Sequence, residues 1–288
     1  MPVMWNRLTV SRPLLGALVL GGVLTSAAGC VDNTVSLYIR QVQAPLVAGA
    51  VCMVTPDPFA LSIPSGTLDV ALKNNYTMTP LIANQLVTRA SMDLLRAETS
   101  TVNIQGFVVE LREGSPDGPL VGPAFSVYQN VVVPAALTAT TPGYAWANIQ
   151  VIPPQVGDAL RGAVCQIDRT GVNESCPVYR VVSASRTILV KLTAFGASLG
   201  GNDVESSPFY FPVTVCCGCL ITFPVDADAP ATMTTGIGRD CNNGMPLIGP
   251  ASCNLGQDFP VDCRYCSTAH PEFCQPRGFS PNGSTCAP

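Results

Sequence analysis

Nine of the chain's thirteen cysteines fall in its last seventy-three residues, from Cys216 to Cys286. That is about 12% of the segment, above the roughly 8–10% that marks a disulfide scaffold. After "LITFPV" long apolar runs give way to Asn, Gly, Pro and Asp. Such a stretch cannot bury enough apolar surface to offset the entropy of ordering its chain, so crosslinks must do it. Residues 216–288 are therefore expected to form a small disulfide-stapled, Cys-rich module. Apart from Cys30, three cysteines precede it (Cys52, Cys165, Cys176) and nine lie within it (Cys216, Cys217, Cys219, Cys241, Cys253, Cys263, Cys266, Cys274, Cys286). Both counts are odd, so if all twelve pair within the chain at least one bridge joins the two regions. Cys165 and Cys176 bracket "CQIDRTGVNESC" and are expected to close it, a loop worth about 3 kcal/mol in chain entropy. That leaves Cys52 to cross over, to Cys216 or Cys217. Adjacent cysteines on a strand point to opposite faces, so Cys216 and Cys217 should have different partners, one in the body's core and one in the tail.

The N-terminus has three zones. Met1 to Pro13 carries Arg7 and Arg12 and no acid, Leu14 to Leu24 is apolar, and Thr25 to Gly29 is small throughout. This is the layout of a secretory signal, and its apolar run is too short to span a bilayer. The segment "AAGC", Ala27 to Cys30, resembles the lipobox of bacterial lipoproteins, with Ala27 standing where that family usually has leucine. The resemblance implies removal of 1–29, a diacylglycerol on the Cys30 sulfur and an acyl chain, typically palmitate, on its new amine. Two or more acyl chains anchor a protein stably. Ser26-Ala27-Ala28 also suits ordinary signal cleavage. Lipidation of Cys30 would leave an even twelve cysteines to pair. Val31, rather than aspartate, follows Cys30, which in this family favours the outer membrane. The chain is also similar to myxobacterial-type Cys-rich envelope lipoproteins, a likeness that brings no activity with it.

Between the signal and Cys216 the chain reads as short strands separated by turns. Val35, Leu37 and Ile39 alternate with Ser36, Tyr38 and Arg40, the period of a half-buried strand. This strand begins so soon after Cys30 that the folded body is expected close to the membrane surface. "GTLDVAL" alternates Leu68, Val70 and Leu72 against Thr67, Asp69 and Ala71. "TVNIQGFVVELR" runs into the turn residues Pro116-Asp117-Gly118, and "FSVYQNVVV" places Phe125, Val127, Val131 and Val133 on one face. "GYAWANIQVI", "SRTILVKLTAF" and "SPFYFPVTVCC" continue the pattern. Only "RASMDLLRAE", residues 89–98, reads as helix. The expected architecture is mainly β: an immunoglobulin-like β-sandwich over 30–215, its last two strands forming the closing hairpin, followed by the module at 216–288.

Little catalytic chemistry is legible. "CRYCSTAHPEFC" spaces Cys263, Cys266, His270 and Cys274 nearly as a zinc knuckle does, with each later gap one residue short; four N/S donors would suit Zn²⁺, but exported thiols form bridges. "GASLG", Gly196 to Gly200, matches the nucleophile elbow around Ser198, yet a strand rather than the required helix follows. His270 is the only histidine, which counts against general acid–base chemistry. Asp226 and Asp228 read as solvated turn residues. "GGNDVES" and "GRDCNNG" lack the spacing of a calcium loop. Tyr144 and Trp146 share a strand face, as packing or as a ligand platform.

The formal charge is −4 and becomes −6 once Arg7 and Arg12 leave with the signal; no basic run exists to follow a phosphate backbone, so nucleic acid is not an expected partner. No cofactor or metal is expected. The functional expectation is a lipid-anchored cell-envelope protein, held to the membrane through Cys30, with a non-catalytic binding or structural role and an envelope protein as partner. The alternatives are a secreted-side hydrolase with an unrecognised site, or a metal-binding envelope protein.

Overall fold

A computed structural model of the chain describes residues 36–48, 51–91, 96–168, 180–223 and 253–265. All belong to one compact unit spanning 35–288. In chain order the strands are β1 (Leu37–Gln43), β2 (Leu46–Ala48), β3 (Val51–Met53), β4 (Ser62–Ile63), β5 (Gly66–Asp69) and β6 (Tyr76–Met78). Then come β7 (Pro80–Asn84), β8 (Val102–Glu113), β9 (Phe125–Val133), β10 (Gly143–Trp146) and β11 (Ile149–Ile152). Helix α1 (Pro154–Val164) is followed by β12 (Cys165–Asp168), β13 (Arg180–Ser183), β14 (Arg186–Ser198) and β15 (Asp203–Glu205). The last strands are β16 (Phe209–Cys216), β17 (Ile221–Thr222) and β18 (Val261–Asp262). The protein is mainly β.

The largest sheet runs β5-β16-β14-β8-β9, with β15 also on β14; a second runs β10-β7-β1-β4. Both contribute to one apolar cluster, which includes Leu37, Ile82, Ile104, Phe107, Val190 and Phe211. The alternation legible in β1 is real, with Leu37 and Ile39 buried and Arg40 exposed. β9 likewise turns Phe125, Val127, Val131 and Val133 inward. In β8 the buried positions change phase, from Val102 and Ile104 to Phe107, Val109 and Leu111. A bulge against β9 between Ile104 and Gly106 makes the change possible. Glycine is required there, because a Cβ on Gly106 would sit 2.8 Å from both the Phe195 ring and the Val127 carbonyl. On the outer face Lys191, in register with Glu110, donates to its carboxylate at 2.7 Å, and Arg112 donates at 2.8 Å. The Lys191 hydrogen bond is the main reason the Glu110 carboxyl lies below its ordinary value.

Among the described residues of 89–98, which are 89–91 and 96–98, the expected helix is not formed. Ser91 and Arg96 exchange both backbone hydrogen bonds, at 3.2 and 3.0 Å, as an isolated antiparallel bridge, which a helical stretch cannot do; residues 92–95 lie outside the described ones. The helix is instead α1, "PQVGDALRGAV", whose two glycines and weak composition hide it from propensity. Pro154 suits the first helical position, where its missing N–H has no intrahelical partner to lose. Tertiary contacts hold the rest: Leu160 and Val164 are buried, and the Arg161 Nε–H donates to the Val70 carbonyl. Gly157 passes so near the backbone of Asn74 that an added Cβ would lie 1.7 Å from that carbonyl oxygen. Gly157→Ala, ordinarily helix-stabilising, is therefore expected to destabilise by about 1–3 kcal/mol, read as a lower denaturation midpoint at unchanged m-value.

The pairing of the cysteines differs from expectation. Cys165 is bonded to Cys217, not to Cys176; Cys52 is bonded to Cys253, not to Cys216 or Cys217; and Cys216 is bonded to Cys219. The reason is placement. α1 ends at Cys165 beside the end of β16, with the two Cα atoms 5.3 Å apart. Cys52, on the β2–β3 hairpin, meets residue 253 with Cα atoms 5.5 Å apart. Cys263 is bridged as well. Among the described residues, two bridges thus join residues before 216 to residues after it. Cys30, Cys176, Cys241, Cys266, His270, Cys274, Cys286, Asp226 and Asp228 lie outside the described residues.

The expected boundary at 215/216 does not separate the described parts. Residues 253–265 pack into the body, where Gly256 and Asp258 hydrogen-bond along the free edge of β5; within 216–288 itself, β18 pairs in parallel with β17. Among the described residues no helix is long and apolar enough to cross a membrane.

Candidate functional site

Three features cluster around β5 and the β2–β3 hairpin. The first is built on Asp69, the last residue of β5 and wholly buried. Its Oδ1 accepts the amides of Ala71 at 3.0 Å and Gly218 at 2.7 Å, and its Oδ2 accepts that of Leu220 at 2.9 Å. The turn after β16, "CCGCL", is thereby wrapped round one carboxylate. Burial pushes the Asp69 carboxyl up, against the opposing pull of these amides. One of its oxygens and the sulfurs of Cys216 and Cys219 all lie within 4.8 Å of one another. That spacing would suit three donors to a metal, but metal ligation by cysteine needs a thiolate, and here both sulfurs are bonded to each other. Cys216 is buried and Cys219 exposed.

The three bridges with both cysteines among the described residues differ in what they do for the fold. By loop-closure entropy, the 201-residue separation of Cys52–Cys253 is worth about 5 kcal/mol and the 52-residue separation of Cys165–Cys217 about 4 kcal/mol. The three-residue separation of Cys216–Cys219 is worth about 2 kcal/mol.

The second feature is a polar network under the 253–265 segment. Asp258 adopts φ +63°, a left-handed conformation that aspartate tolerates better than most residues. Its Oδ1 accepts the Thr67 amide at 2.8 Å and the Tyr76 hydroxyl at 2.9 Å. The Gln257 side chain bonds both backbone groups of Thr77, and Lys73 donates to Gln257 Oε1 at 3.5 Å. Burial raises Asp258 and Tyr76 and lowers Lys73. Every polar tip here meets a partner inside the protein, so the network fastens the segment to β5 and β6.

The third feature is a cleft of about 430 Å³ walled by Cys52, Met53, Thr79, Trp146, Asn148 and Cys253. Its rim is apolar. The hairpin exposes Leu46, Val47, Val51 and Met53, and the next loop exposes Leu61 and Phe59, the last at 90%. No charged residue occurs between Arg40 and Asp57. The Cys52–Cys253 bridge forms one wall and ties the hairpin to the body. Trp146 and Tyr144 share a face of β10: Trp146 lines the cleft, 36% exposed, while Arg40 stands over the Tyr144 ring at 5.8 Å.

The serine of "GASLG" ends a strand and enters a tight turn back into β15, not a helix, and Ser198 Oγ accepts the Asn202 amide at 3.2 Å. A nucleophile elbow is not formed. Of the knuckle-like set, Cys263 is in a disulfide. The role of Asp69 escaped the sequence, where it fell on the polar side of an alternating strand; the signals were an acid inside "LDVAL" and the C-x-x-C spacing of Cys216 and Cys219. Comparison with protein-family models, with curated proteins and with solved structures found no match to this chain.

Proposed function

We propose that the chain is a lipid-anchored protein of the bacterial cell envelope, attached at the outer membrane through Cys30, whose exposed apolar surface has a non-catalytic role, binding a partner protein. The body is read as an immunoglobulin-like β-sandwich, a reading supported by two largely antiparallel sheets around one apolar cluster. The observation that carries the binding role is the run of exposed apolar side chains between Leu46 and Leu61, a stretch that reaches the Trp146 cleft through Cys52 and Met53. Exposed apolar side chains are ordinary when scattered; concentrated in one short stretch whose hairpin is covalently tethered, they mark an interaction surface. A fixed hairpin also loses little conformational freedom on docking, which favours affinity.

The two halves of this proposal have separate tests. Intact mass under non-reducing conditions should show a polypeptide starting at Cys30 with added acyl mass, and Cys30→Ser should move the protein out of the membrane fraction. A different start, or a membrane-bound serine variant, overturns the anchor. For the binding role, a photo-crosslinking residue at Val51 or Phe59 should trap an envelope protein in cells, and one at Tyr128, exposed on β9, should not. Equal trapping at all three positions, or none at any, overturns it.

A further inference from the structure

We propose that the Cys216–Cys219 bridge is an exchangeable disulfide, a site that oxidises the paired thiols of a partner protein, and not a staple of the fold. The two sulfurs are unlike. Cys219 is exposed at the turn after β16, and Cys216 is buried behind it at 3% exposure. Thiolate attack on a disulfide needs access to one sulfur and a leaving group at the other, and here solvent reaches Cys219 while the Cys216 sulfur lies inside. Exposed bridges are the class in which labile and catalytic disulfides are found.

The turn does not depend on the bridge for its shape. Asp69 holds Gly218 and Leu220 by their amides, the Val70 amide donates to the Cys216 carbonyl at 2.9 Å, and Cys217 is bonded separately to Cys165. Opening the bridge leaves those restraints in place. The same carboxylate, within 4.8 Å of both sulfurs, is positioned to pass a proton to the thiolate that forms at Cys216.

The exchange balances in two steps. One thiol of the partner loses its proton, and the thiolate attacks Cys219 Sγ; the Cys216–Cys219 bond breaks, a mixed disulfide forms, and Cys216 leaves as a thiolate that takes up a proton. The partner's second thiolate then attacks its own sulfur in the mixed disulfide, releasing Cys219, which is protonated in turn. The partner is oxidised by two electrons to a disulfide, Cys216 and Cys219 are reduced to thiols, and the two protons lost by the partner end on this pair.

The test uses the full oxidised chain and a synthetic peptide carrying two reduced cysteines, with the reaction quenched by alkylation and mapped by mass spectrometry. Cys216 and Cys219 should become labelled at least tenfold faster than Cys52, Cys253, Cys165 and Cys217, with one peptide disulfide formed per pair opened. Cys216→Ser, which leaves the exposed thiol, should accumulate a mixed disulfide at Cys219 when given the oxidised peptide, whereas Cys219→Ser should accumulate none at the buried Cys216. Labelling of Cys216 and Cys219 no faster than of the other four cysteines overturns the proposal without any variant having to fold. So does equal trapping by the two serine variants.

Discussion

Alanine in place of Asp69 is expected to destabilise the protein by about 3 kcal/mol, because three amides lose their acceptor at a buried position and each unsatisfied donor costs about 1–3 kcal/mol, partly relieved where water enters. The loss should concentrate where the carboxylate works: hydrogen exchange at the amides of Ala71, Gly218 and Leu220 should speed up before that of the β8–β14 ladder. The effect carries a pH signature. Burial raises the Asp69 carboxyl above its ordinary 3.8, so the folded state binds that proton more tightly than the unfolded chain does. Its contribution is fully present below pH 3.8 and is lost as pH rises through the raised folded value. The difference between wild type and Asp69→Ala should therefore be greatest in acid and shrink toward neutrality. Denaturation midpoints at a series of pH values read this directly, and a difference that grows with pH would contradict the assignment.

Replacing Cys52 and Cys253 together by serine is expected to cost about 5 kcal/mol, the largest effect of any bridge described, since it releases a closure over 201 residues. Structural consequences should be local at first. Residues 253–265 would keep their non-covalent hold through Asp258 on Thr67 and Tyr76 and through Gln257 on Thr77, whereas the β2–β3 hairpin, exposed along both strands, would lose its tether. Limited proteolysis should cut first within 46–61, and the Trp146 fluorescence should shift as the cleft wall departs. If partner binding depends on that hairpin being fixed, the double variant should bind more weakly even at temperatures where its sheets remain folded. Opening Cys165–Cys217 instead should loosen the junction of α1 with β16 and leave the cleft unchanged.

Strand character was legible because it is local. A period of two in apolar residues fixes which side of β1 and β9 faces inward, and Leu37, Ile39, Phe125 and Val133 lie where that period puts them. On the premise that the twelve cysteines other than Cys30 all pair within the chain, their parity likewise called for a covalent crossing between the body and the Cys-rich tail, and the described bridges include two. The partners of each cysteine, by contrast, depend on which Cα atoms come within about 4.4–6.8 Å, a property of the folded chain alone. Cys165 looked closest to Cys176 along the sequence, yet α1 carries it to Cys217. The helix itself was invisible to propensity, because its stability comes from Leu160, Val164 and the fit of Gly157 against Asn74. Asp69 looked like a solvent-facing residue of an alternating strand, and it became a buried acceptor because the turn after β16 and the segment at 256–258 closed over both sides of β5. Periodicity says which face of a strand is apolar; only the packed structure says what finally covers the other.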